Sequence, residues 1–371
     1  MCFNNPVWQN AQMSIEVPSP SSLRRVLVTK LRHHGDVLLA SPAIAMLKRI
    51  APLAEVDALI YADTAPMLEG HPALAQLHLI DRAWKRHGVW RQGAAEWALI
   101  SALRARHYDL VVHLSVHTRG AWLVRLLRPR WSVAPKYTEG FWARSFTHLY
   151  PAQSDPQRHT VDVNLDSLRA LGFEPTAADQ RVILVPGAKA EARIDELLAQ
   201  HDLQAGSFVH VHPASRWAFK CWPAPRVAAL CDVLAAKGLP IVMTSAPDAN
   251  EKALIAEVRA ARDKGAAAAF DFAGQLSLKE LAALTARARL FVGVDSAPMH
   301  MAAAMGTPVV GIFGPSGDRE WGPWGDGHRV VASNTHPCRP CGLAGCNDSK
   351  VSDCLTTLPV AQVLAACEEL L

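Results

Sequence analysis

Short apolar runs of strand length alternate along this chain with longer segments whose apolar residues recur every three or four positions. The short runs predict strands at 24–31, 56–61, 76–80, 109–115, 181–186, 208–212, 240–245, 290–294 and 307–313. The longer segments predict helices at 37–50, 94–106, 120–127, 161–171, 188–200, 225–237, 249–260, 297–305 and 359–371. Strands that are separated by helices pair in parallel, so the pattern indicates an α/β protein.

The alternation of strand and helix occurs twice along the chain. With 371 residues, half of them hydrophobic, the chain is long enough for two domains of ordinary size. We predict a disordered leader at 1–22, a first Rossmann-like domain at 23–180 and a second at 181–371. The second domain would also contain a cysteine-rich segment at 338–354 and the final helix. A dehydrogenase is disfavoured, because no G-x-G-x-x-G follows the first strand.

Charge and hydropathy exclude further classes of protein. No apolar run free of charge and proline reaches transmembrane length, and the leader lacks the basic start and apolar centre of a signal peptide. We therefore expect a cytoplasmic protein, and we expect no nucleic-acid partner. The net charge of +4 comes from the first half of the chain. The surface of that half either binds an acidic partner or is an ordinary, slightly basic surface.

The stretch 290–325 contains the strongest functional signal. A predicted strand ends at Asp295 and Ser296, and a helix of small residues starts at Ala297. Such a turn directs the free N–H groups of the helix at the carboxyl edge of the sheet, where open α/β folds bind ligands. Asp295 and His300 would face the same bound molecule, although an aspartate at this place is also a common helix cap.

Two further polar segments occupy equivalent positions in the pattern. Gly35 permits a tight turn after the first strand, and Asp36 begins the following helix. Ser215, Arg216 and Lys220 lie between a later strand and its helix. Cationic and hydroxyl side chains in that place would stabilise the charge of a departing phosphate. The alternative is a solvated loop over packed aromatic residues.

The segment 295–315 reads DSAPMHMAAAMGTPVVGIFGP and resembles the ADP-heptose:lipopolysaccharide heptosyltransferases, a bacterial family of GT-B glycosyltransferases. Motifs at 30–42 and 212–222 resemble the same family, so the similarity spans the chain after about residue 22. The family implies two Rossmann-like domains facing each other across a cleft. It also implies ADP-heptose as donor in the second domain and an inner-core lipopolysaccharide acceptor in the first, at the cytoplasmic face of the inner membrane. The segments HPASRWAFKCWP and SKVSDCL are most similar to its type III branch.

The resemblance also implies roles for single residues. Asp36 would be the general base and Lys220 the catalytic residue that binds phosphate, in an inverting transfer that requires no metal or other cofactor. The donor would contact Ser215, Arg216, Lys220, Ser245, Asp248, Asp295, Ser296, Ala297 and His300, and the acceptor would contact His33, His34 and Arg119. Helix capping remains the alternative for Asp36 and for Asp248. The alternative function is another GT-B sugar-nucleotide enzyme, an epimerase or hydrolase, that uses no lipid acceptor.

Four cysteines form the pattern Cys338-x2-Cys341-x4-Cys346-x7-Cys354. In a reducing compartment, such clustering suggests a structural zinc site rather than disulfides. The spacing differs from the paired C-x-x-C of a zinc ribbon, so reduced and packed thiols are the other interpretation.

Overall fold

The computed structural model describes residues 16–86, 88–151 and 157–371. Within these ranges, the strands form two six-stranded sheets in which every strand pair is parallel. The α/β fold class is therefore confirmed. No helix in the described ranges combines the length and the apolar composition that a membrane crossing needs.

The first sheet and its helices come from the first half of the chain. Its strands are β1 (Arg25–Thr29), β2 (Glu55–Tyr61), β3 (Leu74–Ile80), β4 (Leu110–His113), β5 (Trp131–Pro135) and β6 (His148–Tyr150). Their spatial order is β3-β2-β1-β4-β5-β6. The helices are α1 (His34–Leu38), α2 (Ser41–Ile50), α3 (Val89–Ala105), α4 (Thr118–Leu127) and α5 (Thr160–Arg169).

The second sheet repeats this arrangement. Its strands are β7 (Val209–His212), β8 (Ile241–Met243), β9 (Phe270–Asp271), β10 (Leu290–Val294), β11 (Val309–Phe313) and β12 (His328–Ala332). Their order is β12-β11-β10-β7-β8-β9. The helices are α6 (Ala188–Gln200), α7 (Ala224–Ala236), α8 (Ala249–Ala261), α9 (Leu278–Ala286), α10 (Ala297–Ala304), α11 (Asp318–Trp321), α12 (Asp353–Thr356) and α13 (Val360–Glu368).

The strand order reverses between β1 and β4 in the first sheet and between β7 and β10 in the second. At such a switch point the loops after the two strands diverge and leave a crevice at the carboxyl edge of the sheet. The polar segments after β1, β7 and β10 all begin at these crevices. The topology therefore brings together residues that are far apart in sequence.

The strand predicted at 181–186 is wrong. This segment has no regular secondary structure and connects the two sheets, while Val182 and Leu184 are buried in the core of the first domain. An apolar linker that packs on a core has the composition of a buried strand, and the hydrophobic pattern does not distinguish the two.

The single helix predicted at 37–50 is wrong as well, because it is two helices. α1 ends at Leu38 and α2 begins at Ser41, with Pro42 in its first turn. In a continuous helix the proline ring would clash with the carbonyl of Leu38, four residues earlier. The sequence contained this signal, and the break shortens the helix that carries Asp36 to five residues.

The two halves of the molecule share buried apolar contacts. Leu281 of α9 and Met301 of α10 belong to the same buried cluster as Val28 and Leu39 of the first half. Helix α10 also contacts α1 across the cleft. The two halves of the chain are therefore packed against each other beside the crevices.

The predicted leader lies mostly outside the described residues. In its described part, Pro20–Ser22 forms one turn of 3-10 helix. Glu16 forms an ion pair with Arg130.

Candidate active site

A cleft of about 1400 Å³ lies between the carboxyl edges of the two sheets. The first half of the chain contributes Asp36 and Asp63 to its lining, and the second half contributes Lys220 and Asp295. Polar groups from β1, β7 and β10 thus meet in one space, as the positions of their strands require.

Asp36 occupies the third position of α1, where its carboxylate takes part in a capping box with His33, the N-cap residue, so the capping alternative for Asp36 is seen in the structure. Its Oδ2 accepts a hydrogen bond from the His33 backbone N–H at 3.3 Å, and its Oδ1 lies 3.6 Å from Arg32 Nε. An acidic side chain in the first turn is stabilised by the positive end of the helix. The carboxylate is oriented by these contacts, and it lines the cleft.

Lys220 and Asp295 form a close ion pair at the second sheet. Lys220 Nζ donates to Asp295 Oδ2 at 2.5 Å, and the two side chains are 23% and 9% exposed. Asp295 follows β10 directly, so a rigid strand end holds the ammonium group in place. An ammonium that is oriented in this way can bind a phosphate oxygen through a charge-assisted hydrogen bond.

The start of α10 is the third component of the site. Its N-cap residue, Ser296, makes no side-chain capping bond, and its hydroxyl donates instead to the Val294 carbonyl at 3.2 Å. Pro298 at the second helical position has no N–H, and the Met299 N–H donates to the Ser296 carbonyl at 3.2 Å, so of these three positions Ala297 supplies the N–H that is left to bind an anion. Backbone N–H groups at a helix start bind anionic oxygens well.

His300 connects this helix to α1. It is 4% exposed and lines the cleft, and burial lowers its pKa while the nearby carboxylates of Asp295 and Asp36 oppose that shift. A Cβ atom on Gly35 would lie 3.0 Å from His300 Cδ2. A side chain at this position would therefore have to displace the His300 ring by a few tenths of an ångström, so close packing between the two halves of the molecule favours glycine here.

A buried chain of hydrogen bonds fixes the proton on His212. Thr285 Oγ1 donates to the Leu281 carbonyl at 2.7 Å, so its oxygen accepts from His210 Nδ1 at 3.0 Å. Thr244 Oγ1 then donates to His210 Nε2 at 2.7 Å and accepts from His212 Nδ1 at 2.8 Å. Burial lowers the pKa of His210, and that of His212 to about 4, so both imidazoles are neutral near neutral pH. The unprotonated Nε2 of His212, which lines the cleft, is left as an acceptor.

The other residues predicted to contact the donor also line the cleft, but their contacts differ. Ser215 is half-buried, and Arg216 is exposed with its guanidinium 5.4 Å from the centre of the Trp217 ring. Ser245 is buried, and its hydroxyl donates to the Ala246 carbonyl at 2.9 Å. Asp248 caps α8 by accepting from the N–H groups of residues 250 and 251. Asp248 thus has the helix-capping role that the sequence analysis gave as its alternative.

The residues predicted to contact the acceptor are not all brought together. His33 is exposed and lines the cleft. His34 also lines it, and its Nε2 lies 2.8 Å from the Asp63 carbonyl. Arg119 on α4 is not among the residues that line the cleft, and it forms an ion pair with Glu96 of α3.

Two glutamates in the cleft were missed by the sequence analysis. Glu320 on α11 has its pKa raised by burial and by the carboxylates of Asp295 and Asp36, while a hydrogen bond with Trp321 opposes the shift. Glu251 on α8 has its pKa raised by burial, and it accepts from the Ala246 N–H at 2.9 Å. The sequence gives no signal that distinguishes these glutamates from surface ones, except that Glu320 follows a loop rich in glycine and proline.

The four clustered cysteines are free thiols. Cys338 and Cys341 are exposed, Cys346 is half-buried, and Cys354 is buried, which raises its pKa. Across the described residues, no group of three or more histidine, cysteine or acidic side chains is arranged to hold a metal ion.

Two parallel-sheet domains that face each other across a cleft are the GT-B architecture, and this class fits the whole chain. The chain belongs to glycosyltransferase family 9, the heptosyltransferases, whose family model matches residues 96–351. It is 34% identical over 344 residues to lipopolysaccharide heptosyltransferase 3 of Escherichia coli. The aligned region covers 92% of this chain and 97% of the relative. The resemblance to the family and to its type III branch is thereby confirmed.

Solved structures agree with this assignment at the level of the fold. A family 9 glycosyltransferase from Veillonella parvula superposes with a TM-score of 0.81 at 22% identity, covering 95% of this chain and 98% of that one. An Escherichia coli heptosyltransferase in complex with ADP-2-deoxy-2-fluoro heptose superposes with a TM-score of 0.71 at 21% identity, covering 93% and 99%.

Proposed function

We propose that this heptosyltransferase transfers L-glycero-D-manno-heptose from ADP-heptose to the inner core of lipopolysaccharide, with Asp36 as general base. The observation that carries the proposal is the meeting of Asp36, from one domain, with the Lys220–Asp295 pair, from the other, in one cleft. Its relatives include a lipopolysaccharide heptosyltransferase 3 and an enzyme that binds a fluorinated ADP-heptose.

The reaction is a direct displacement at the anomeric carbon. A hydroxyl oxygen of the acceptor forms a bond to that carbon, and its proton passes to the Asp36 carboxylate. The bond from the anomeric carbon to the diphosphate breaks, and ADP leaves with the electron pair. One displacement inverts the configuration, so the product linkage is opposite to that of the donor.

The donor side supplies positive charge for the leaving diphosphate. Lys220 and the N–H groups at the start of α10 stabilise the developing charge, with Ser215 and Arg216 beside them. Ser245 and Asp248 lie along the same cleft towards β8, where the nucleoside would bind. Since these groups provide the neutralising charge, we propose that transfer needs no metal ion, and activity should persist in the presence of a chelator.

The acceptor side is the first half of the chain, at 23–180, with the donor domain at 181–371. His33 and His34 line the cleft on this side, which supports the proposal that they contact acceptor sugars. Arg119 would contribute only if the acceptor extends beyond the cleft towards α4. A lipid-linked acceptor also implies that the protein works at the cytoplasmic face of the inner membrane.

Purified protein should be incubated with ADP-heptose, with and without a core lipopolysaccharide acceptor that lacks the added heptose. Mass spectrometry should detect one additional heptose on the acceptor, and NMR of the new anomeric centre should show inversion. Consumption of ADP-heptose at the same rate without acceptor would instead identify an epimerase or a hydrolase.

A further inference from the structure

Helix α3 exposes an apolar face on the outside of the first domain. Trp90 and Trp97 are 90% and 72% exposed, and Val89 is 79% exposed. Together with Gly93 and Ala94, these residues line a shallow groove along the helix. The helix is described over its full length of 17 residues, and Leu103 is its one buried residue. The largest apolar side chains of α3 therefore face solvent.

Helix α6 of the second domain shows the arrangement that is usual for a surface helix. It buries Ile194, Leu197 and Leu198 against the core and exposes charged residues such as Lys189 and Arg193. In α3, by contrast, the large apolar side chains are exposed over at least two turns. A contiguous exposed apolar face of this kind is typical of a binding surface.

Positive charge flanks the Trp90–Trp97 face. Between residues 82 and 104 the chain has one acidic residue, Glu96, and its charge is offset by an ion pair with α4. Close to the face in sequence are the basic residues Lys85, Arg86 and Arg91. These three side chains are exposed, and none forms an ion pair with any residue in the described part of the chain.

The same face adjoins the acceptor side of the cleft. The turn that leads into α3 begins at Arg82, which donates to the Arg32 carbonyl at 3.0 Å and lies 3.5 Å from Asp63. Asp63 lines the cleft, and Arg32 precedes the segment that carries Asp36. The start of α3 thus lies at the cleft edge of the first sheet.

We propose that the Trp90–Trp97 face of α3 docks on an anionic lipid bilayer. Tryptophan rings are amphipathic and settle at the boundary between headgroups and acyl chains, and basic residues beside them are attracted to anionic headgroups. Docking would turn the acceptor side of the cleft towards the membrane. That role rests on the proposed function, since it assumes a lipid-linked acceptor, whereas binding to a bilayer does not depend on it.

The binding is tested by flotation of the full chain with vesicles of phosphatidylethanolamine and phosphatidylglycerol, and with vesicles of phosphatidylcholine alone. We expect binding to the anionic vesicles, which weakens as salt is added. The double variant Trp90→Gln/Trp97→Gln should weaken binding by about tenfold or more, because apolar burial is lost. Neutralising Lys85, Arg86 and Arg91 to glutamine should weaken it by about fivefold per residue.

Matched controls come from exposed residues elsewhere. Leu53, which is 81% exposed, lies in the loop before β2, at the opposite edge of the first sheet, and Leu53→Gln removes an exposed apolar side chain there. Lys189→Gln/Arg193→Gln removes basic charge from α6. Leu53→Gln should leave vesicle binding unchanged. Lys189→Gln/Arg193→Gln should weaken it only slightly, because it lowers the net positive charge of the protein.

Two outcomes would overturn the proposal. One is that the protein does not bind anionic vesicles, or binds them equally well without both tryptophans. The other is that sedimentation velocity in the absence of lipid reveals a dimer that the tryptophan substitutions dissociate, because the face is then covered by a second copy. The vesicles contain neither donor nor acceptor, so transfer to a detergent-solubilised acceptor tests the enzymatic function separately.

Discussion

At the residue scale, two contacts orient the Asp36 carboxylate, a hydrogen bond from the His33 N–H and an ion pair with Arg32. Asp36→Asn keeps the size and polarity of the side chain but cannot accept a proton. We expect kcat to fall by about 10²–10⁴-fold, with little change in ADP affinity or melting temperature. Steady-state kinetics with the solubilised acceptor measures this effect.

Asp63→Asn is the matched control for Asp36→Asn, since Asp63 is a second carboxylate in the same cleft. It should retain most of the activity. Near-normal kcat in Asp36→Asn would assign the base to another group, and His33 and His34 are then the next candidates.

The ion pair between Lys220 and Asp295 predicts the behaviour of the nucleotide site. Lys220→Ala removes a charge-assisted hydrogen bond to phosphate and should weaken ADP binding on the order of 10- to 100-fold. Titration calorimetry with ADP measures the change. Lys350→Ala, which removes another lysine that lines the cleft, should have a much smaller effect. If the two variants bind ADP equally well, Lys220 does not contact the diphosphate.

The hydrogen-bond chain through His210 predicts a single tautomer for His212. NMR of the protein with ¹⁵N-labelled histidine should show the proton of His212 on Nδ1, with Nε2 unprotonated. Thr244→Val interrupts the chain and should mix the tautomers, whereas Thr244→Ser should restore one form. A proton on Nε2 in the unsubstituted protein would contradict the assignment of donors along the chain.

At this scale the sequence could predict which residues line the cleft, but not what they touch. Asp36, Lys220 and Asp295 were predictable because each follows a strand whose carboxyl end faces the cleft. The pairing of Lys220 with Asp295 joins residues 75 positions apart, and no local pattern encodes it. The same holds for Arg119, whose partner Glu96 is on a different helix.

At the scale of elements, the packing of α1 on α10 depends on Gly35. A side chain at this position would press on His300, with a Cβ–Cδ2 distance of 3.0 Å. Gly35→Val should therefore destabilise the protein by about 1–3 kcal/mol and lower kcat, with Gly35→Ala intermediate. Chemical denaturation and kinetics measure the two effects.

Gly93→Ala provides the control for Gly35→Val, because a Cβ on Gly93 meets nothing within 4 Å and the residue lies inside α3. This substitution should raise stability slightly, by about 0.5–1 kcal/mol, without changing transfer to the solubilised acceptor. If Gly35→Val and Gly93→Ala behave alike, α1 and α10 are not in tight contact in solution.

Helices and strands were predictable where the local sequence alone determines their burial pattern. The hydrophobic pattern identifies the buried apolar strands β1, β7, β10 and β11. The linker at 181–186 is apolar because it packs on the core of the first domain. This contact depends on residues elsewhere in the chain, so the segment itself contains no sign of it. The edge strand β12 was missed because an exposed edge needs no continuous apolar run.

At the scale of the whole molecule, buried neutral histidines make the folded protein sensitive to acid. Burial holds the pKa of His71, His159 and His212 at about 4, and that of His113 at about 3, below their ordinary value of 6.5. The unfolded chain therefore binds more protons than the folded one between about pH 6.5 and 4, so stability falls as the pH falls through this window. Glu251 and Glu320, whose pKa values are raised, oppose this trend only in part.

The melting temperature should accordingly drop between pH 7 and pH 5, and unfolding at about pH 5 should take up several protons. His159→Gln can still donate to the Gly322 carbonyl, which His159 Nε2 contacts at 3.0 Å, and should reduce the uptake by up to about one proton. Calorimetry in buffers of different ionisation enthalpy measures the uptake. Stability that is constant over this range would mean that these imidazoles are protonated, and therefore hydrated, in the folded protein.

Helix α10 begins at the proposed nucleotide site and buries Met301 in the core of the first domain. A ligand at either end of this helix restrains the same rigid element, so each ligand lowers the entropic cost of binding the other. By linkage, ADP should raise acceptor affinity by the factor by which the acceptor raises ADP affinity. Such coupling sets no order of binding, so we expect either substrate, once bound, to tighten the binding of the other.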